Sequence, residues 1–396
     1  MRFSKLRSAT LSAALGAGIV AGLAAAPARA TEFKVTNLTS DGSVPAPNVD
    51  SQLSNPWGIA YAPGGPFWIS DNNSGFSTLY NGAGVKNQNL TVQIAPPNGG
   101  APPAAPTGVV FNGTGQFTVT QNGKTGSAVF IFDTEDGTIS GWAPGVNFTQ
   151  SVLAVDNSTL GSGAVYKGLA IGQDDGSNFI YASDFRNGLI EQFNSNFDLV
   201  RAFTDPGVAP GYAPFDVQTL DGHLFVTYAL QDAAKHDDVA GEGNGYVDEF
   251  NMDGTFDKRL VSLGGALDSP WGLVVAPSSF GSFAGDLLVG NFGDGTISAF
   301  NINTGAFEGK LDGTNGQPIV LGDLWGLING GGGSDGNPNS IYFTAGILNE
   351  SEGLFGSISA VPEPATWSMM IIGSGLIGAG MRRRRGAALR SLAPAA

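Results

Sequence analysis

The chain of 396 residues contains no cysteine. That absence excludes a disulfide framework, a cysteine-ligated zinc site, an iron–sulfur cluster and a cysteine nucleophile. There are two histidines, His223 and His236, too few for a multi-histidine metal site. Charge is sparse, at 13% of residues, and no long amphipathic helix pattern occurs between residues 31 and 360. Glycine is the opposite case. Its 60 copies are about twice ordinary usage, which argues against a helix bundle and for many tight turns. The length allows one large β domain or two smaller ones.

Both ends read as targeting segments. Arg2, Lys5 and Arg7 precede a run of small and apolar residues from Ala9 to Ala26, followed by Ala28-Arg29-Ala30. This is the order of a secretory signal cut after Ala30, handled by the Sec translocon and signal peptidase. At the other end, Val361-Pro362-Glu363-Pro364 precedes an uncharged run from Ala365 to Met381 and then Arg382, Arg383, Arg384 and Arg385. The run falls just short of the ~18 apolar residues that mark a membrane-spanning helix unaided. The arginines would hold its end at the cytoplasmic face and leave the body outside.

The tail resembles the PEP-CTERM sorting signal of Gram-negative bacteria, also known as an ice-binding C-terminal domain, a label that says nothing about the body. The resemblance implies recognition by an exosortase in an exopolysaccharide-producing cell. It also implies a transient inner-membrane anchor and delivery to the outer envelope or extracellular matrix. Between the two segments, residues 31–361 carry ten Lys and Arg against 33 Asp and Glu, a net charge of −23. Such a surface repels nucleic acid and anionic polymers, so no nucleic-acid partner is expected.

The body repeats. Six anchors each step into Gly and an apolar strand: Pro56-Trp57-Gly58, Pro106-Thr107-Gly108, Tyr166-Lys167-Gly168, Pro214-Phe215-Asp216, Pro270-Trp271-Gly272 and Leu324-Trp325-Gly326. The fourth has Asp216 in place of Gly. Successive anchors lie 50, 60, 48, 56 and 54 residues apart. A second strand follows each: Phe67–Ser70, Phe117–Thr120, Phe179–Ala182, Leu224–Thr227, Leu287–Gly290 and Ile341–Thr344. Polar loops, a third alternating strand and a fourth complete the unit. Four antiparallel strands repeated six times predict an all-β, six-bladed β-propeller. A β-sandwich would not explain the six anchors. The last repeat lacks a fourth strand, and Phe33–Leu38 lacks an anchor, so the N-terminal strand is predicted to close the ring. The anchors resemble those of NHL-type propellers. The body is similar to a secreted bacterial family that often carries PEP-CTERM tails and has no assigned activity, so the resemblance implies fold and location only.

The loops leading into the first strands and those between second and third strands share one propeller face. Trp57, Tyr166, Phe215, Trp271 and Trp325 gather there, with Thr107 completing the ring. They would serve either as platforms for a sugar or other planar ligand, or as wedges between blades. Asp216 would face the axial channel, with Asp71, Asp184 and Asn291 following second strands on the same face. Oxygen donors of this kind suit Ca²⁺ or Mg²⁺, and equally cap tight turns. An insertion at about residues 231–245 holds His236, Asp237 and Asp238, which fit a ligand-binding or general-base site or a solvated polar loop. No complete catalytic set is visible. The leading expectation is a non-enzymatic envelope or matrix protein that binds carbohydrate, exopolysaccharide or another surface component. The alternative is a divalent-metal-dependent hydrolase or lactonase using a channel ion.

Overall fold

The computed structural model describes residues 31–361. The signal segment with Ala28 and Ala30, the expected span, and the sorting residues Pro362, Glu363, Pro364 and Arg382 to Arg385 lie outside the described residues. Among the described residues no helix is long and apolar enough to cross a membrane.

Six sheets stand around an axis as blades, as the repeats predict: five are four-stranded and antiparallel, and the sixth adds two short parallel strands, Asn48–Val49 and Asp312–Gly313, to its four antiparallel ones. Blade 1 runs from its inner strand Pro56–Tyr61 through Phe67–Asp71 and Phe76–Tyr80 to Val92–Gln93 at the rim. Second and third strands are the driest parts of the fold. Phe67–Asp71, Leu287–Asn291 and Ser340–Ala345 are buried throughout, because a blade packs on each face of them. Their Ile, Leu, Val and Phe content suits that two-sided burial. Outer strands such as Leu199–Phe203 are mostly exposed.

Hydrophobic clusters fill the gaps between neighbouring blades. Blades 4 and 5, for example, meet through Phe225, Val247, Leu273 and Val289. A further cluster sits on the axis itself, built from Trp57, Phe185, Phe215, Trp271 and Trp325.

The anchor glycines have a steric cause. A Cβ on Gly58 would lie 2.5 Å from the Thr107 carbonyl oxygen of the next blade. One on Gly272 would lie 2.3 Å from the Trp325 oxygen, and one on Gly326 2.7 Å from the Trp57 oxygen. Each anchor is thus the floor on which the following blade's anchor rests. Each inner strand also slips register at this point, as between Pro56 and Ile59 or Leu324 and Leu327. Such bulges sharpen the twist and re-aim the strand toward the axis.

Blade 6 is closed by the N-terminus. Its inner three strands are Leu324–Asn329, Ser340–Ala345 and Leu354–Ala360, and Glu32–Ser40 pairs antiparallel with the last of these. The Val361 amide donates to the Glu32 carbonyl at 2.8 Å, so both ends of the body leave the same sheet edge.

One expected strand is misplaced. Thr118–Gln121 belongs to a separate hairpin with Lys124–Ser127, and the second strand of blade 2 is Phe130–Thr134. Phe117 and Val119 read as blade core because they are buried, but they cover the cluster between blades 2 and 3 from outside the sheet.

Candidate functional site

Sheet register identifies which residues converge on the face where the inner strands begin. The residues immediately before the six anchor positions are Trp57, Thr107, Lys167, Phe215, Trp271 and Trp325. Opposite them, the residues just past each second strand include Asn72, Glu135, Phe185 and Phe292. Together these two rings surround the axis.

The aromatic members plug the channel. Trp57 and Trp325 stack with centroids 3.4 Å apart, and Phe292 stacks on Trp325 at 4.2 Å. Trp271 meets both tryptophans edge-on and donates its indole N–H to the Lys167 carbonyl at 2.9 Å. The Trp325 indole donates to the Asn55 side chain at 3.1 Å. Trp57, Phe215, Trp271 and Trp325 are at most 2% exposed, and their faces are taken up by one another. They pack on one another at the axis rather than between neighbouring blades. Tyr166 sits elsewhere, at the position held by Pro56 and Pro270 in other blades. Its hydroxyl is buried and donates to Glu191 at 2.6 Å. Lys167 holds the ring position that Tyr166 was expected to take.

Lys167 is 2% exposed, and its ammonium lies 5.0 Å from the Trp57 ring centroid. It is paired with Glu135 of blade 2 and with Asp237 of the blade 4 insertion, the latter at 3.2 Å. Burial opposes the charge, but the two carboxylates outweigh it and raise the lysine pKa. Asp237 also accepts from His236 Nδ1 at 2.9 Å. That hydrogen bond, with the lysine charge behind it, holds the Asp237 carboxyl well below the usual range and raises His236. Asn72 orients Glu135 through a 2.8 Å hydrogen bond.

Glu350 enters from blade 6. Its carboxylate accepts from Asn55 at 3.0 Å, and burial lifts its pKa to about 7. Burial likewise lifts Asp238 to about 6. Glu350 ends three consecutive left-handed residues, Leu348, Asn349 and Glu350, with φ of 56°, 56° and 60°. For L-residues this costs roughly 1–2 kcal/mol each. Strain of this kind persists where surrounding structure enforces it, as at ligand clamps and switches.

The expected oxygen ligands do not converge. Asp71 accepts from Thr78, Asp184 binds the Val165 and Asn187 amides, and Asn291 donates to Thr296 and Ser298, each tying turns of its own blade. Among the described residues, the three His and acidic side chains whose ligand atoms all lie within 4.8 Å of one another are Glu135, His236 and Asp237. Asp216 is fully buried below the aromatic plug, facing the axis.

The insertion residues His236, Asp237 and Asp238 were visible in sequence. Lys167 was visible too, within an anchor, but the tyrosine beside it took its place in the ring. Glu135 was missed because the second strand of its blade was read more than ten residues early. Aligning Phe130–Thr134 with the other second strands would have placed it beside Asn72 and Phe185.

Comparison with known proteins matches the PEP-CTERM protein-sorting motif over residues 360–385. That signal implies an exported protein sorted to the cell envelope and processed by an exosortase. The body is 34% identical over 335 residues to "Uncharacterized protein R648" of Acanthamoeba polyphaga mimivirus, covering 83% of this chain and 80% of that protein. It is 31% identical over 334 residues to "Uncharacterized protein L690" of the same virus, covering 82% and 85%. Among solved structures, a glucose dehydrogenase superimposes with a TM-score of 0.50 at 10% identity, over 83% of this chain and all of that one, a likeness of fold alone. The chain therefore belongs to the propeller family of these two mimivirus proteins, and joins that body to an exosortase sorting segment.

Proposed function

We propose that this protein is an envelope recognition module that binds a neutral carbohydrate, such as an exopolysaccharide segment, at the anchor face. The observation that carries the reading is the desolvated Lys167 ammonium, held on the propeller axis by carboxylates from two other blades. Taking charges out of water is costly, and an apolar residue would plug the axis as well. Glu135, Lys167, His236 and Glu350 offer donors and acceptors of both kinds, the mixture that sugar hydroxyls satisfy. The body charge of −23 disfavours anionic polymers. The sorting segment supports delivery to the surface where such polymers lie.

Calorimetric titration of the purified protein with neutral and uronic-acid-rich polysaccharides tests this. Neutral polymers should bind saturably, and Lys167→Met and Glu135→Gln should each weaken binding by about tenfold or more while the circular dichroism stays unchanged. Binding confined to uronic-acid polymers, or unaffected by both substitutions, would refute it.

A second reading, a divalent-metal-dependent hydrolase, is favoured by the proximity of Glu135, His236 and Asp237. There Lys167 would compete with the metal for the same two carboxylates. Metal-dependent ester or lactone cleavage that disappears in His236→Ala would establish that reading instead.

A further inference from the structure

Below the aromatic plug the six inner strands enclose a small cavity on the axis, about 10 Å³ in volume. Gly58, Gly108, Gly272 and Gly326 line it with backbone. Asp216 is the single ionisable side chain in its wall. It is completely buried, and neither carboxylate oxygen has a hydrogen-bond partner. The Val217 amide and the Gln218 side chain draw on it from beyond hydrogen-bonding geometry.

A second buried carboxylate lies outside that wall, close enough for its charge to raise the Asp216 pKa. Asp133, on the second strand of blade 2, takes the place that Ser70, Ser183, Thr227 and Thr344 hold in other blades. One of its oxygens accepts from Thr107 Oγ1 at 2.9 Å and from the Gly108 amide at 2.6 Å; the other has no partner. Glycine at 108 and 168 leaves room for both acids. A Cβ at Gly108 would lie 2.8 Å from Asp133 Oδ1, and one at Gly168 2.2 Å from Asp216 Oδ1. Among the described residues neither acid has an ion-pair partner.

Two unpaired carboxylates in one dry neighbourhood are expensive unless neutralised. Burial raises the pKa of both acids, so a bound proton is what a cation would have to displace. One divalent cation within reach of both would balance the two charges. The cavity is the size of one water, so the ion must shed its hydration shell. Mg²⁺ retains several waters and demands near-octahedral geometry, whereas Ca²⁺ accepts irregular sets of carboxylate and carbonyl oxygens.

We infer that the propeller axis holds one dehydrated Ca²⁺ bound by Asp216 and Asp133, a structural ion independent of the carbohydrate face above it.

The test is refolding of the purified full chain from guanidinium, in chelator or in calcium, followed by metal analysis and thermal melting. Refolding removes the difficulty that a sealed cavity exchanges its ion slowly. The wild type refolded in calcium should retain about one Ca²⁺ per chain after desalting, and should melt ~5 °C or more above the chelator sample. Magnesium should give neither effect. Asp216→Asn keeps the side-chain shape and should abolish both retention and shift, whereas His236→Ala, at the upper face, should keep both. Should Asp216→Asn fail to fold, the calcium-against-chelator comparison of the wild type still decides the matter. A wild type that retains no calcium and melts identically in both buffers overturns the inference, and so does calcium loss in His236→Ala with retention in Asp216→Asn.

Discussion

At the scale of single residues, the anchor glycines and their one exception govern how the blades meet. Gly272→Ala would drive a methyl group to 2.3 Å from the Trp325 carbonyl oxygen, an atom fixed by its own sheet. We expect a loss of about 2–3 kcal/mol in chemical denaturation. Gly265→Ala meets nothing closer than 3.7 Å and should change stability by less than about 1 kcal/mol. Equal costs at the two positions would show that blade-to-blade contact does not explain the anchors. The glycines were legible because sterics left them no substitute. Lys167, the centre of the candidate site, was harder to read. A lysine between Tyr166 and Gly168 looks like an exposed loop charge, and nothing local shows that carboxylates 32 residues before it and 70 residues after it will bury it.

At the scale of elements, the closing strand is the decisive piece. Phe33 is 1% exposed and packs on Phe280 and Phe283 of blade 5, so Glu32–Ser40 ties blade 6 to its neighbour as well as completing its sheet. Deleting residues 31–40 should abolish the cooperative melting transition of the whole body, and Phe33→Ala alone should cost about 3 kcal/mol. An unchanged melting curve after the deletion would mean that the ring stays shut without it. Blade count, anchors and closure were all readable, because strand periodicity and turn residues repeat. The inserted hairpin of blade 2 was not. Its Phe117-Thr118-Val119-Thr120 has the alternation of a second strand, and only the sheet pairing shows that it stands outside the blade. That one displaced strand concealed both Glu135 and Asp133.

At the scale of the whole molecule, charge and closure set the conditions under which the protein holds together. Burial raises Glu350 to about 7, so the folded state holds its proton more tightly than the unfolded chain does. Its contribution to stability is full below the ordinary glutamate pKa of 4.5 and is lost as pH rises through 7. Repulsion within a body of charge −23 acts in the same direction. Melting in chelator should therefore occur at a higher temperature at pH 5 than at pH 8, and Glu350→Gln should reduce that difference. A wild type more stable at pH 8 would contradict the assignment. The seam between Glu32–Ser40 and Leu354–Ala360 has a further consequence, for the timetable of export. A chain that crosses a membrane from its N-terminus delivers the first strand more than 300 residues ahead of its partner. Once the last strand arrives, the newcomer has two matching open edges at opposite ends of one polypeptide. Each can zip to its own mate or to a neighbour's, so where many copies emerge together, crowding would favour interlocked rings over single ones.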